Sequence, residues 1–173
     1  GWGGKLIYPR TRAAIWGALG HFSPLLHRGK EREKVVVRVI DVSGSMYQET
    51  LDKFFRLTGA LANVHFVDLA FDGVVARYSP GDQVLGGGGT QLQPVLDYLY
   101  GDGTINGEPF EAEMDALIII SDFIMDRVKF PEPEKTIALV VGAPSETEDH
   151  ARGGGRFWPE DQGVDTCWVE LPD

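Results

Sequence analysis

Residues 35 to 46 read Val-Val-Val-Arg-Val-Ile-Asp-Val-Ser-Gly-Ser-Met, and this stretch decides the fold that we expect. Val35 to Ile40 is an apolar, β-branched run of strand length that is interrupted by Arg38. Since a helix-forming sequence follows it, the run is typical of a buried strand in a parallel sheet rather than of a surface strand. The sequence therefore predicts an α/β domain with this strand inside its sheet.

Oxygen-bearing side chains follow this strand on alternate residues, at Asp41, Ser43 and Ser45. Alternate residues of an extended segment point the same way, and Gly44 lets the chain turn tightly between the two serines. One carboxylate and two hydroxyls can therefore converge above the carboxyl end of the strand. Hard oxygen ligands of low total charge suit Mg²⁺ or Mn²⁺, so the pattern indicates a metal site. The serines are equally common as caps of a following helix.

Two later stretches supply further hard oxygen ligands. Four glycines at residues 86 to 89 precede Thr90, whose hydroxyl lies just before an amphipathic segment. Ser121-Asp122 follows a second apolar strand. An acidic residue at the carboxyl end of a strand in an open α/β sheet lies where ligand sites gather. The predicted metal ligands are Asp41, Ser43, Ser45, Thr90 and Asp122.

In this chain order the five residues resemble the metal-ion-dependent adhesion site (MIDAS) of von Willebrand factor A (VWA) domains, over about residues 34 to 141. The Gly-Gly-Gly-Gly-Thr run and the strand ending in Ser-Asp are most similar to the intracellular bacterial and phage branch of VWA-like proteins, which is often encoded near MoxR-type AAA+ ATPases. The resemblance implies an adaptor that binds a partner protein through Mg²⁺ (or Mn²⁺), with an Asp or Glu of the partner completing the coordination. It points to a MoxR-type ATPase, or a substrate of one, as that partner.

Two residues depart from the pattern of this family. Gln91 stands where an aspartate commonly follows the threonine, and Phe123 stands where a glycine often follows the aspartate. We expect Gln91 to lower the negative charge near a helix start and Phe123 to narrow the access to the metal. The expected partner-binding residues are Gly44, Met46, Gly88, Gly89, Gln91 and Phe123.

The chain has 173 residues, 43% of them hydrophobic, which fits one domain with a substantial core. We expect residues 1 to 33, which are rich in basic side chains, to form an extension packed on a VWA-like domain of residues 34 to 173. The predicted architecture is doubly wound and Rossmann-like. It has about six mostly parallel strands, one antiparallel edge strand, and helices on both faces.

Local patterns place the remaining elements. Apolar periodicity predicts helices over residues 47 to 62 and 91 to 100, with Thr90 as a candidate cap of the second. Asp72-Gly73 predicts a turn that places an antiparallel strand at the sheet edge. Residues 101 to 113 are interpreted as a polar connection. Further strands are expected over residues 6 to 8, 64 to 71, 74 to 78, 136 to 141 and 164 to 171.

Charge and composition bear on the partners and the location. The formal net charge of −10 disfavours nucleic acid, because phosphate backbones would be repelled. No stretch is long and apolar enough to cross a membrane, and the start lacks the apolar region of a secretory signal. The single Cys167, which we expect with Trp168 in or near the core, excludes an internal disulfide and fits a reducing compartment. We therefore expect a cytoplasmic protein.

Catalysis is the competing function class. The chain lacks a Gly-x-Ser-x-Gly elbow and a His-Glu-x-x-His motif. A hydrolase or phosphatase with Asp41 as nucleophile remains the first alternative, although Ser43 stands where haloacid-dehalogenase-like enzymes typically have an aspartate. An RNA-associated scaffold is the second alternative, suggested because some VWA domains occur in RNA-binding proteins. Metal coordination by neutral oxygens leaves Lewis acidity for an incoming carboxylate, which favours binding over catalysis.

Overall fold

The structure, a computed structural model, describes residues 6–8, 33–42, 48–58, 63–79, 89–141 and 157–169. The strands in these ranges are β1 (Leu6–Tyr8), β2 (Lys34–Asp41), β3 (Val64–Phe71), β4 (Val75–Arg77), β5 (Thr104–Ile105), β6 (Glu108–Pro109), β7 (Ala116–Ser121), β8 (Thr136–Val141) and β9 (Asp165–Val169). The α-helices there are α1 (Gln48–Thr58) and α2 (Gln93–Tyr100). Short 3-10 helices lie at Pro133–Lys135 and Pro159–Gln162.

Seven strands form one mixed sheet in the order β1-β9-β8-β7-β2-β3-β4. Neighbouring strands are parallel throughout, except that β4 runs antiparallel to β3 at one edge. The predicted mostly parallel sheet with one antiparallel edge strand is therefore confirmed. The short β1 lies outside β9 at the other edge, so the described residues contribute seven strands to the sheet, where about six were expected.

Strand β2 occupies the interior of the sheet, between β7 and β3. Its paired residues run from Val36 opposite Ala116 to Ile40 opposite Ile120 on one side, while all of β2 pairs with β3 on the other. Both ladders satisfy its backbone groups, and seven of its eight residues are buried. This arrangement explains the nearly continuous apolar run, because a strand covered on both faces has no polar side to present.

The buried apolar side chains form two clusters. One contains Val36 and Ile40 of β2 together with side chains of α1, and the other contains Val37 and Val39 of β2 together with side chains of α2. Even- and odd-numbered residues of a strand point to opposite faces of its sheet. Each described helix therefore contributes to a different cluster.

Helix α2 begins later than predicted. Its first residue is Gln93, and its N-cap residue is Leu92, which makes no side-chain capping bond. Pro94 lies in the first turn, where the missing N–H costs nothing because that position has no partner within the helix. The expectation that Thr90 caps this helix is therefore wrong. The predicted first helix, residues 47 to 62, corresponds to α1, and residues 47 and 59 to 62 lie outside the described ranges.

Residues 101 to 113, which were predicted to be a polar connection, contain regular secondary structure. Strands β5 and β6 form a small antiparallel hairpin there. The two residues between the strands, Asn106 and Gly107, have φ values of 53° and 80°. A two-residue hairpin turn with positive φ at both positions favours Asn-Gly, so this dipeptide was the sequence signal for the hairpin.

The last strands carry the predicted core residues. Cys167 and Trp168 of β9 are fully buried, as expected. Burial raises the pKa of the Cys167 thiol to about 12, because a thiolate there would lose its hydration. The thiol is therefore protonated at neutral pH and poor as a nucleophile. No described helix has the length and apolar character needed to span a membrane.

Arg38, the polar interruption of β2, is buried and fully engaged. Its guanidinium contacts both carboxylate oxygens of Asp68, its register partner on β3, at 2.6 and 2.8 Å. It also donates to the hydroxyl of Thr58 at the end of α1, at 2.6 Å. The same group lies 3.9 Å from the ring centroid of Phe66 and 4.6 Å from that of Phe55. These contacts fasten α1 to β2 and β3.

We expect Arg38→Ala to lower the free energy of unfolding by about 3–5 kcal/mol, because the variant strands a largely buried Asp68 carboxylate without its cation. Arg56→Ala, on the exposed part of α1, is the control and should change stability by less than about 0.5 kcal/mol. Urea unfolding of both variants measures the difference. Equal effects of the two substitutions would show that the Arg38 contacts do not hold the helix.

Candidate functional site

The sheet has a point where its connectivity reverses direction. After β2 the chain passes to β3 on one side, and it later returns to β7 on the other side of β2. In open α/β sheets, ligands bind in the crevice outside the carboxyl ends of two such strands. Asp41 is the last residue of β2, and Ser121 is the last residue of β7, directly before Asp122. The sequence-predicted carboxylates therefore lie at the position where this topology favours a ligand.

A side-chain hydrogen bond joins the two strand ends. The hydroxyl of Ser121 donates to Oδ2 of Asp41 at 2.6 Å, and both residues are fully buried. The bond lies one residue beyond the last backbone pair of these strands, Ile40 with Ile120. A distance of 2.6 Å lies within the range of O–H···O hydrogen bonds. The ends of β2 and β7 are thus connected by their side chains at the crevice itself.

Asp122 lies in a tight turn just after β7. Its Oδ1 accepts a hydrogen bond from the backbone N–H of Ile124 at 3.0 Å, and the residue is half-buried. Between these two residues, Phe123 has a φ of 58°, in the left-handed region. For a residue with a Cβ this conformation costs on the order of 1–2 kcal/mol. Surrounding contacts must therefore stabilise the turn that carries Asp122.

Three contacts hold Phe123 in this conformation. Its N–H donates to the hydroxyl of Ser121 at 2.9 Å, and its carbonyl accepts from the N–H of Phe157 at 2.8 Å. Its ring is fully buried and packs against that of Phe157, with centroids 6.3 Å apart. The expectation that the Phe123 side chain contacts a partner is therefore wrong, and its expected effect on access to the metal stays a prediction. Packing in the aromatic core stabilises the left-handed conformation of Phe123, at the position where the family often has glycine.

Thr90 reaches the same edge of the sheet by way of β3. The N–H of the next residue, Gln91, donates to the carbonyl of Asp72 at 2.6 Å, directly after β3. The N–H of Val42 donates to the carbonyl of Phe71 at 3.0 Å, so the chain leaves β2 beside the end of β3. The segment that carries Thr90 is therefore fixed at the carboxyl end of the strand next to β2.

Asp72 performs the turn role expected for it. Its Oδ1 accepts a hydrogen bond from the N–H of Val74 at 3.1 Å, and its own N–H donates to the carbonyl of Val74. An aspartate commonly closes such turns through its side chain. The predicted turn at Asp72 is thus confirmed by these contacts.

The structure describes part of the predicted site. Asp41, Thr90 and Asp122 lie at one edge of the sheet, and Gly89 and Gln91 are exposed beside Thr90. The remaining predicted residues lie outside the described ranges. These residues are the predicted ligands Ser43 and Ser45 and the predicted partner contacts Gly44, Met46 and Gly88.

The donors at this edge are hard oxygens. Within the described ranges, no three His, Cys, Asp or Glu side chains are grouped to hold a metal. The predicted set contains two carboxylates, those of Asp41 and Asp122, and takes its other donors from hydroxyl groups. Such a set fits Mg²⁺ or Mn²⁺, which retain waters in their coordination sphere, rather than Zn²⁺ with its preference for His and Cys.

Ser121 belongs to the Ser-Asp motif at the end of β7, and the sequence alone indicates no role for its hydroxyl. Its contact with Asp41 spans 80 residues of chain. The contact depends on the alignment of β7 with β2, which the composition of the two strands does not specify. The signal available in the sequence was the position of Ser121 directly after an apolar strand and directly before an acidic residue.

Comparison with models of protein families finds no match for this chain, and a search among curated proteins finds none either. The function is therefore inferred from the geometry of this edge of the sheet and from the resemblance of its motifs.

We expect Gly89→Ala to lower the free energy of unfolding by about 1 kcal/mol. Gly89 has a φ of 81°, and an added Cβ would meet nothing within 4 Å, so the cost arises from the backbone conformation alone. Gly89→Asn, which tolerates positive φ better, should cost less. Urea unfolding compares the two variants. If alanine proved as stable as glycine, the left-handed conformation before Thr90 would not be required.

Proposed function

We propose that this domain is a VWA-like adaptor that binds a partner protein through a divalent cation, Mg²⁺ or Mn²⁺, at the carboxyl edge of its sheet. The observation that carries the proposal is the Ser121–Asp41 hydrogen bond, with Asp122 adjacent to it. It links the two acidic motifs of the sequence at the two strand ends that flank the reversal point. These motifs are the ones that carry the resemblance to the adhesion-type metal site.

The proposal includes a doubly wound architecture with helices on both faces of the sheet. Supporting it, apolar side chains of α1 and α2 belong to different core clusters, and these clusters contain alternate residues of β2. The connection from β2 through α1 to the parallel strand β3 is the expected crossover unit of such a fold.

Each predicted ligand has a defined part in the proposed site. Asp41, oriented by Ser121, and Asp122, oriented by its turn, would supply two negative charges from a stable platform. Thr90, Ser43 and Ser45 would add neutral hydroxyls. When bound, the cation supplies an open coordination position for a carboxylate of the partner. Because two charged ligands do no more than balance a divalent ion, an incoming Asp or Glu is still attracted.

Several features of the described residues support binding rather than catalysis. The Asp41 carboxylate is fully buried and hydrogen-bonded, so it suits a ligand that reaches the cation through a water better than a nucleophile, whose oxygen must touch the substrate. Among the described residues the histidine is His65, near the amino end of β3 and paired with Glu33 at 3.8 Å. It therefore lies at the opposite edge of the sheet, where it does not serve as a general base for this site.

The proposed partner follows from the resemblance and the charge. A MoxR-type AAA+ ATPase, or a protein on which it acts, is the partner that the motifs favour. The acidic chain, with a net charge of −10, favours a protein partner over RNA. The proposal also includes a cytoplasmic location, which agrees with one cysteine that is buried and protonated.

Isothermal titration with Mg²⁺ tests the site. We expect wild-type protein to bind the ion, and Asp41→Asn and Asp122→Asn to weaken binding at least about tenfold, since each loses a negative ligand or its water-bridged equivalent. Asp41→Asn keeps the shape of the side chain and an acceptor for Ser121. Asp126→Asn is the matched control, because Asp126 is exposed and lies only four residues beyond Asp122.

Binding that is equal in wild type and in Asp41→Asn would remove the metal site from this edge of the sheet. Metal-dependent hydrolysis of a phosphomonoester that disappears in Asp41→Asn would replace the adaptor function with catalysis.

A further inference from the structure

The hydroxyl of Ser121 has a fixed orientation. A serine hydroxyl has one hydrogen to donate and lone pairs to accept. The N–H of Phe123 occupies a lone pair at 2.9 Å, and the hydrogen is directed to Oδ2 of Asp41 at 2.6 Å. With Ser121 fully buried, water does not compete for either contact. The hydroxyl therefore acts as a defined link between the two strand ends.

At one end, this link determines the orientation of the Asp41 carboxylate. Its Oδ2 is directed at β7, which sets the rotation of the carboxylate about its own axis. A carboxylate that is oriented before a cation arrives does not lose rotational freedom on binding it. Groups that orient ligands in this way are typically needed for full metal affinity.

The other end of the link supports Asp122. The Phe123 N–H is held by Ser121, and the Phe123 carbonyl is held by the N–H of Phe157 at 2.8 Å. These two bonds keep Phe123 left-handed, with a φ of 58°. Since Asp122 directly precedes this residue, its direction depends on that conformation. A single hydroxyl thus contacts one carboxylate and supports the turn that carries the other.

The strands themselves do not need this hydroxyl to pair. Five residue pairs, from Val36 with Ala116 to Ile40 with Ile120, align β2 with β7 before the strands end. A second reciprocal contact closes the other end, where the Val35 N–H donates to Oδ2 of Asp115 at 2.9 Å and the Asp115 N–H donates to the Val35 carbonyl. A role of Ser121 in strand alignment alone is therefore redundant.

We propose that Ser121 is a positioning residue of the metal site, which sets the orientation of Asp41 and holds the turn that presents Asp122. This inference rests on the proposed function. It goes beyond the ligand set itself, because Ser121 acts through its neighbours without contacting the cation. It also includes Phe157, which supports the same turn from the segment before β9.

Mg²⁺ titration of Ser121→Ala tests the inference. We expect the affinity to fall about 10- to 100-fold, the usual effect of losing a group that orients metal ligands. Ser121→Thr keeps the hydroxyl and should restore affinity to near the wild-type value. The control is Thr136→Val, which removes another buried hydroxyl, bonded to the carbonyl of Glu132 at the amino end of the neighbouring strand β8. It should lower stability without changing the affinity.

The outcomes separate this inference from the proposed function. If the wild type does not bind Mg²⁺, the metal site fails together with the role of Ser121. If the wild type binds and Ser121→Ala binds equally well, the site stands and the positioning role is overturned. An equal loss of affinity in Thr136→Val would also overturn it, since it would reduce the effect to general destabilisation. Should Ser121→Ala not fold, Ser121→Cys takes its place, because a thiol donates more weakly, and the same outcomes apply.

Discussion

The hydrogen bond from Ser121 to Asp41 is the contact on which the candidate site depends. It lies where β2 and β7 end, one residue past their last backbone pair. Beyond it the chain departs in two directions, one through residue 42 toward the predicted serine ligands and the other through Asp122. Without this contact, the two strand ends would still be neighbours through their backbone ladder, but the side-chain hydrogen bond that joins the two acidic motifs would be lost. With it, they form one unit anchored in the sheet.

The strands that carry this unit are buried and paired on both sides. Strand β2 is buried between two parallel neighbours, and β7 and β8 are buried along their whole length. Arg38 adds a polar connection in the middle of β2, where Asp68 and Thr58 tie the strand to β3 and α1. Loops that carry function are usually positioned by such a scaffold. The core therefore fixes the positions of the strand ends, and the loops that follow them determine which candidate ligands are presented there.

Much of the fold could be predicted from local patterns, because apolar runs of strand length have few alternatives in an α/β chain. The strand of residues 35 to 40, the turn at Asp72-Gly73 and the antiparallel edge strand all followed from such patterns. The start of α2 did not, since Pro94 in the first turn moved the helix start past Thr90. The small hairpin was missed because its Asn106-Gly107 signal lay within a stretch interpreted as a connection.

The chain positions of the candidate site could be predicted from the sequence, but the orientation of its side chains could not. The order of the motifs correctly indicated that Asp41 and Asp122 lie at strand ends on one edge of the sheet. The role of Ser121 depends on the register of two strands 80 residues apart. The left-handed Phe123 depends on burial against Phe157, which no local pattern around residue 123 contains. Both are tertiary effects, which decide how ligands are oriented rather than which ligands are present.

A crystal soaked in Mn²⁺ and measured at the manganese absorption edge locates the cation without assumptions about its ligands. The proposed site predicts an anomalous peak at the carboxyl edge between β2 and β7. That peak should lie within about 2.3 Å of the Thr90 hydroxyl, with Asp41 and Asp122 either bound to it directly or one water away. A peak only at another place, or Thr90 and Asp122 directed away from the Asp41 strand end, would contradict the metal-dependent adaptor.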